Sequence, residues 1–126
     1  MKVVLDTNAY RKLFEGDRKI AKILNEADEI VLPSIVIGEL LEAFKLGNKE
    51  EVNRAKMWEF IREPGVSLFK PGAGTAEIYA ELRIKLRKAG TPIPVNDVWI
   101  AAVAIEMEAR LITDDKHFKM VPDLDL

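Results

Sequence analysis

The chain has no cysteine, no glutamine, one histidine (His117) and no surplus of positive charge. Without cysteine there is no disulfide, no thiolate zinc site and no cysteine nucleophile, and the composition fits a reducing, cytoplasmic setting. Lys and Arg number 19 against 21 Asp and Glu, a net charge of −2. A protein that holds nucleic acid by bulk charge is clearly basic, so a nucleic-acid ligand here needs local basic residues or bound cations. No apolar run approaches the roughly 20 residues of a membrane-spanning helix. Met1 to Leu5 is too short for the apolar part of a signal peptide, so no membrane association is expected.

What is present is a globular composition. The 126 residues are 48% apolar and 32% charged, which suits one domain over residues 1–126 that buries its own core. Short β-forming runs at 2–5, 29–32, 66–69 and 110–113 read as strands. A short fifth strand is expected in the tail after the Pro122 turn. Between them lie helical stretches at 8–14, 20–27, 34–46, 49–62, 75–89 and 98–109, with Gly16, Gly47, Gly65 and Gly90 as breaks. The 98–109 stretch is apolar almost all round and belongs inside the protein. Strands alternating with helices predict an α/β fold of three layers, α/β/α, around a parallel sheet.

In such sheets ligands gather at the carboxyl ends of the strands, near the point where strand order reverses. Asp6 follows the first strand directly, and Asp114 and Asp115 follow the fourth. Asp97 opens the buried helix on the same face as Ile100, Ala101, Ala104 and Ile105. Glu39 lies about two helical turns beyond the second strand, next to Ile35, Ala43 and Leu46. Each acid has an ordinary use: Asp6 as a helix cap, Asp97 at a helix dipole, Glu39 on a solvated face, Asp114 and Asp115 in a turn. Together, four or more carboxylates at one edge repel one another unless a cation sits among them. Hard oxygen ligands point to Mg²⁺ or Mn²⁺ and not to zinc.

Four segments fit a known pattern in order along the whole chain: Val3-Val4-Leu5-Asp6-Thr7-Asn8, Gly38-Glu39-Leu40, Asn96-Asp97-Val98-Trp99-Ile100-Ala101-Ala102, and Leu111-Ile112-Thr113-Asp114-Asp115-Lys116-His117-Phe118. In these segments the sequence resembles the PIN-domain nucleases, and within them the VapC-type toxins of prokaryotic toxin–antitoxin pairs. The resemblance implies strand order 3-2-1-4-5 and Mg²⁺ or Mn²⁺ held by Asp6, Glu39, Asp97 and Asp115, with Asp114 as replacement or helper for Asp115. Thr7 or Asn8 and Thr113 would be the small polar residues near the metal. It implies an endoribonuclease with an RNA substrate, a homodimer, and a cognate antitoxin whose segment lies in a groove near the active site. Asp6 and Asp97 would be the core ligands, and no side-chain general base is assigned.

Other residues carry subsidiary expectations. Arg11 and Lys12 lie near Asp6 and are candidates for RNA phosphate contact. Arg83, Lys85, Arg87 and Lys88 complement a helix C-terminus. His117, beside Phe118, reads as structural, and Trp58 and Trp99 as core or interface. Gly38 costs its helix roughly 1 kcal/mol against alanine, which a close helix approach would explain. The helix pair over 34–62, with Ile37, Leu40, Leu41, Phe44, Trp58 and Ile61, is the expected groove wall.

Three other classes compete. A non-catalytic PIN-like scaffold would lack cleavage. A receiver-like phosphoacceptor domain wants an acidic pair after the first strand and an Asp ending the third, where this chain has Lys70-Pro71. A haloacid-dehalogenase-like phosphatase wants a second Asp where Asn8 stands.

Overall fold

The computed structural model describes residues 1–126. Four strands form one parallel sheet: β1 (Lys2–Leu5), β2 (Glu29–Pro33), β3 (Val66–Phe69) and β4 (Arg110–Ile112), in the order β3-β2-β1-β4. The helices between them are α1 (Thr7–Phe14), α2 (Arg18–Glu26), α3 (Ser34–Leu46), α4 (Glu50–Ile61), α5 (Ala73–Lys88) and α6 (Val95–Glu106). A 3₁₀ turn follows at Lys116–Met120.

Successive side chains of a strand point to opposite faces of its sheet. Val3, Val4 and Leu5 are all fully buried, as are Val31 and Leu32. Helices therefore cover both faces of the two central strands, as the unbroken apolar runs demand. The chain builds β1, β2 and β3 outward on one side, then crosses back to place β4 on the other side of β1. The reversal lies between β1 and β4, and Leu5 pairs with Ile112 there. The next residue of each strand, Asp6 and Thr113, is thereby set side by side at the carboxyl edge.

The parallel α/β architecture is the one expected, with four strands instead of five. Beyond Pro122 the tail turns through Asp123, at φ 64°, and the Leu111 amide donates to the Asp125 carbonyl at 2.8 Å. The tail thus lies beside β4, but too little chain remains after the turn to build a ladder.

α6 is buried along its length from Val98 to Ala104 except at Trp99, which stacks on Tyr79 of α5 with ring centroids 4.0 Å apart. The close helix approach lies at Gly74, not Gly38. A Cβ at Gly74 would stand 2.6 Å from Glu106 Oε2, and buried Thr75 donates its hydroxyl to Glu106, tying the start of α5 to the end of α6. At Gly38 a Cβ would meet nothing within 4 Å, so the expected packing reason is absent. Gly38→Ala is therefore expected to stabilise the isolated protein by about 0.5–1 kcal/mol, read as a higher thermal midpoint. No helix is long and apolar enough to cross a membrane.

Candidate metal centre

Asp6 starts α1 as its N-cap, because it ends β1 in extended backbone and precedes the first helical turn. Its Oδ1 accepts the Ala9 amide at 2.8 Å. Its Oδ2 accepts a hydrogen bond from Thr113 Oγ1. Capping and presentation at the cleft are one arrangement: the side chain is 4% exposed and still lines the opening. Thr113 Oγ1 in turn accepts the Asp115 amide at 2.9 Å, so the residues following β4 are registered against the end of β1.

Glu39 reaches the same cleft from α3, where Thr7 Oγ1 donates to its Oε1 at 2.7 Å. Asp97, in the first turn of α6, forms the opposite wall, its side chain 18% exposed. Asp115 closes the edge beneath the 3₁₀ turn that it caps, accepting the His117 amide at 2.9 Å. The cleft has a volume of about 690 Å³ and takes in Asp6, Glu39, Asp97 and Asp115 together with Thr7, Asn8 and Arg11.

The two candidates after β4 part company. Asp115 faces the cleft, whereas Asp114 is exposed and forms an ion pair with Lys12. That pair lies in a smaller depression next door, which Asn8, Arg11 and Asp115 also border. Arg11 is thus the basic side chain on the cleft itself.

The electrostatics reflect burial first and crowding of like charge second. Burial pushes the Asp97 carboxyl up to about 6, with Asp115, Glu39 and Asp6 adding repulsion and His117 opposing it. Burial likewise raises Asp6; the Thr113 and Ala9 hydrogen bonds pull it down, and Asp115 and Glu39 push it up again. A divalent cation relieves this repulsion. The donor set is four carboxylates with threonine hydroxyls beside them, all oxygen, which suits Mg²⁺ or Mn²⁺. The residues present fit such an ion.

His117 departs from its structural expectation. Its side chain is 57% exposed, and Nδ1 lies 3.0 Å from Asp115 Oδ1 and 4.0 Å from Asp97 Oδ2. The buried neighbour is Phe118, at 1% exposure. The sequence signal was the spacing: an aspartate that caps a turn folds the residue two positions on back over its own carboxylate. Glu42, one turn beyond Glu39, also borders the cleft and was not singled out.

Residues 3–124 match the PIN domain. The chain belongs to the PIN-domain family. It is 33% identical over 128 residues to Ribonuclease VapC2 of Rickettsia felis, covering 98% of this chain and 94% of that one. It is 44% identical over 115 residues to Ribonuclease VapC5 of Mycobacterium tuberculosis, covering 91% and 84%. The crystal structure of VapBC2 from Rickettsia felis, bound to a DNA fragment from their promoter, superposes with a TM-score of 0.87 at 29% identity, over 100% of this chain and 97% of that one. VapBC-1 from nontypeable Haemophilus influenzae gives 0.88 at 28%, over 99% and 96%. In this PIN domain one acid from each of the four segments, Asp6, Glu39, Asp97 and Asp115, lines the same cleft.

Not all the apolar side chains expected to wall a partner groove are available in this PIN domain. Ile37 and Leu40 are consumed by its own core, while Leu41, Phe44, Trp58 and Ile61 pack partly against it. Exposed apolar residues nearby include Leu46, at 84%, Val52, at 53%, and Phe14, at 46%. Phe14 packs against Tyr10 and Phe60 in an aromatic cluster joining α1 to α4.

Proposed function

We propose that this PIN domain is a metal-dependent endoribonuclease, the toxin of a toxin–antitoxin pair. The observation that carries the reading is the meeting of Asp6, Glu39, Asp97 and Asp115 on one cleft at the point where strand order reverses. The ribonuclease names of relatives matched over nearly the whole chain support RNA as substrate. The VapBC complexes among its structural neighbours support an antitoxin as partner.

Asp6 and Asp97 are the core ligands for Mg²⁺ or Mn²⁺, and Glu39 and Asp115 bind directly or through water. When bound, the ion supplies neutralisation of phosphate charge and activation of water for in-line hydrolysis. The chain's own residues do the rest. Thr7 holds Glu39 and Thr113 holds Asp6, each by a hydroxyl donated to the carboxylate, so the negative charges are fixed before substrate arrives. Asn8 or Thr113 orients a water. Arg11, exposed on the cleft, contacts a backbone phosphate, which a chain of net charge −2 needs at that point. The protein acts as a homodimer, and the antitoxin segment covers the apolar surface around Phe14 and Leu46.

The test is incubation of the purified protein, free of antitoxin, with RNA under Mg²⁺ or Mn²⁺. Cleavage is expected, its abolition by EDTA, and a weaker, less salt-sensitive RNA affinity in Arg11→Glu. Cleavage indifferent to chelator would remove the metal from the account.

A further inference from the structure

The four-acid cleft is an all-oxygen site, and one observation departs from it: an imidazole nitrogen stands among the carboxylates. One ligand atom each from Asp97, Asp115 and His117 lies within 4.8 Å of the others. Within that triangle Nδ1 of His117 is 3.0 Å from Asp115 Oδ1 and 4.0 Å from Asp97 Oδ2. Ligand atoms sharing one octahedral ion, with bonds of about 2.1 Å, stand roughly 3 Å apart when adjacent and about 4 Å when opposite. The two separations from the imidazole nitrogen already match those around a single ion.

The placement of the ring is built. Asp115 accepts the backbone amide of His117 at 2.9 Å, which closes the 3₁₀ turn at Lys116–Met120. Phe118, buried in the core, anchors that turn, and Thr113 holds the Asp115 amide at 2.9 Å. The turn fixes the backbone of His117 at the cleft edge, so the ring stays within reach of both carboxylates and is open to solvent and to an entering ion.

We propose that His117 is a third ligand beside Asp97 and Asp115, giving the cleft a nitrogen-bearing position that selects a first-row transition ion such as Mn²⁺ over Mg²⁺. Mg²⁺ takes oxygen ligands and gives up its waters reluctantly. An imidazole nitrogen binds first-row transition ions more readily than Mg²⁺, with Mn²⁺ the weakest of that series. Asp6 and Glu39, whose side-chain partners are threonine hydroxyls, hold the oxygen-only side of the same cleft. The inference rests on the reading that the cleft takes a divalent ion, and not on RNA being its substrate.

The probe is Mn²⁺ alone, added to the full chain without RNA. Pulsed electron paramagnetic resonance of the wild-type complex is expected to show ¹⁴N coupling from a directly bound imidazole, absent in His117→Asn. By calorimetry, His117→Asn should weaken Mn²⁺ about tenfold and leave Mg²⁺ within about twofold. His117 is exposed, and an unchanged thermal midpoint of the metal-free variant checks its fold. If the histidine acts only as a charge beside Asp115, the wild type shows no ¹⁴N coupling and the substitution alters both ions alike; either result overturns the proposal. If Mn²⁺ binds with ¹⁴N coupling but RNA is not cut, the nuclease reading fails and this one stands. If neither ion binds the wild type, both fail.

Discussion

Asp6→Asn is expected to lower RNA cleavage by about a hundredfold or more, since it removes a ligand charge from the site that neutralises the phosphate, while leaving the fold intact. The two uses of Asp6 make this substitution informative. One carboxylate oxygen accepts the Ala9 amide as an N-cap, and the other accepts the Thr113 hydroxyl. Asparagine caps a helix about as well as aspartate, so α1 keeps its start. What is lost is negative charge at the end of β1. Asp6→Ala removes both and should cost about 1 kcal/mol of stability in addition. The contrast is read by comparing cleavage rate with thermal midpoint in the two variants. If Asp6→Asn cleaves like the wild type, Asp6 is a cap and nothing more.

Asp97→Asn should be inactive and yet more stable than the wild type when metal is withheld. The Asp97 carboxyl is raised from 3.8 to about 6, burial being the largest cause. A raised carboxyl means the folded state holds a proton more tightly than the unfolded one. The stability this group confers is thus fully present below about pH 4, falls as pH rises through about 6, and is lost above that. At pH 7.5 in EDTA the wild type therefore carries an unfavourable charge in α6. Replacing it with a neutral isostere should recover roughly 2 kcal/mol, or about 5–10 °C in thermal midpoint for a domain of this size. At pH 4 the difference should close, because both side chains are then neutral. Mg²⁺ should raise the midpoint of the wild type by mass action and do little for the variant. Equal midpoints at pH 7.5, or a wild type that gains stability between pH 4 and 7 through this group, would mean that neither burial nor the neighbouring acids raise the Asp97 carboxyl.

How far the site was legible follows from the kind of information each part needs. Asp6, Asp97 and Asp115 stand at ends of elements, and the run of buried strand or helix beside each is visible in the sequence. β1 reads as a short apolar run, since both faces of the sheet are covered there, and β4 as a short β-forming run, so the acids that follow them fall at the carboxyl edge. Glu39 was placed by its distance from β2 along a helix whose apolar face was recognisable. The choice between Asp114 and Asp115 is a matter of one residue of register. It depends on Lys12, from α1, pairing with Asp114, a contact across more than a hundred residues of chain. The role of Gly38 was misread because a glycine's cost in a helix does not reveal whether packing repays it; here open space lies beyond it, and the tight approach is at Gly74. The fifth strand depended on the path of the tail after Pro122, which turns at Asp123 and leaves a single backbone hydrogen bond to Leu111. His117 reads as structural from its neighbour Phe118, which is indeed core; the histidine side chain points the other way and meets the acids.

Soaking a crystal in Mn²⁺ and collecting at a wavelength where manganese scatters anomalously tests the central claim most directly. A peak is expected in the cleft within bonding distance of carboxylate oxygens from Asp97 and Asp115, with Asp6 bound to it or to a second ion beside it. An empty cleft at saturating Mn²⁺, with the four acids turned instead toward protein partners, would contradict the account.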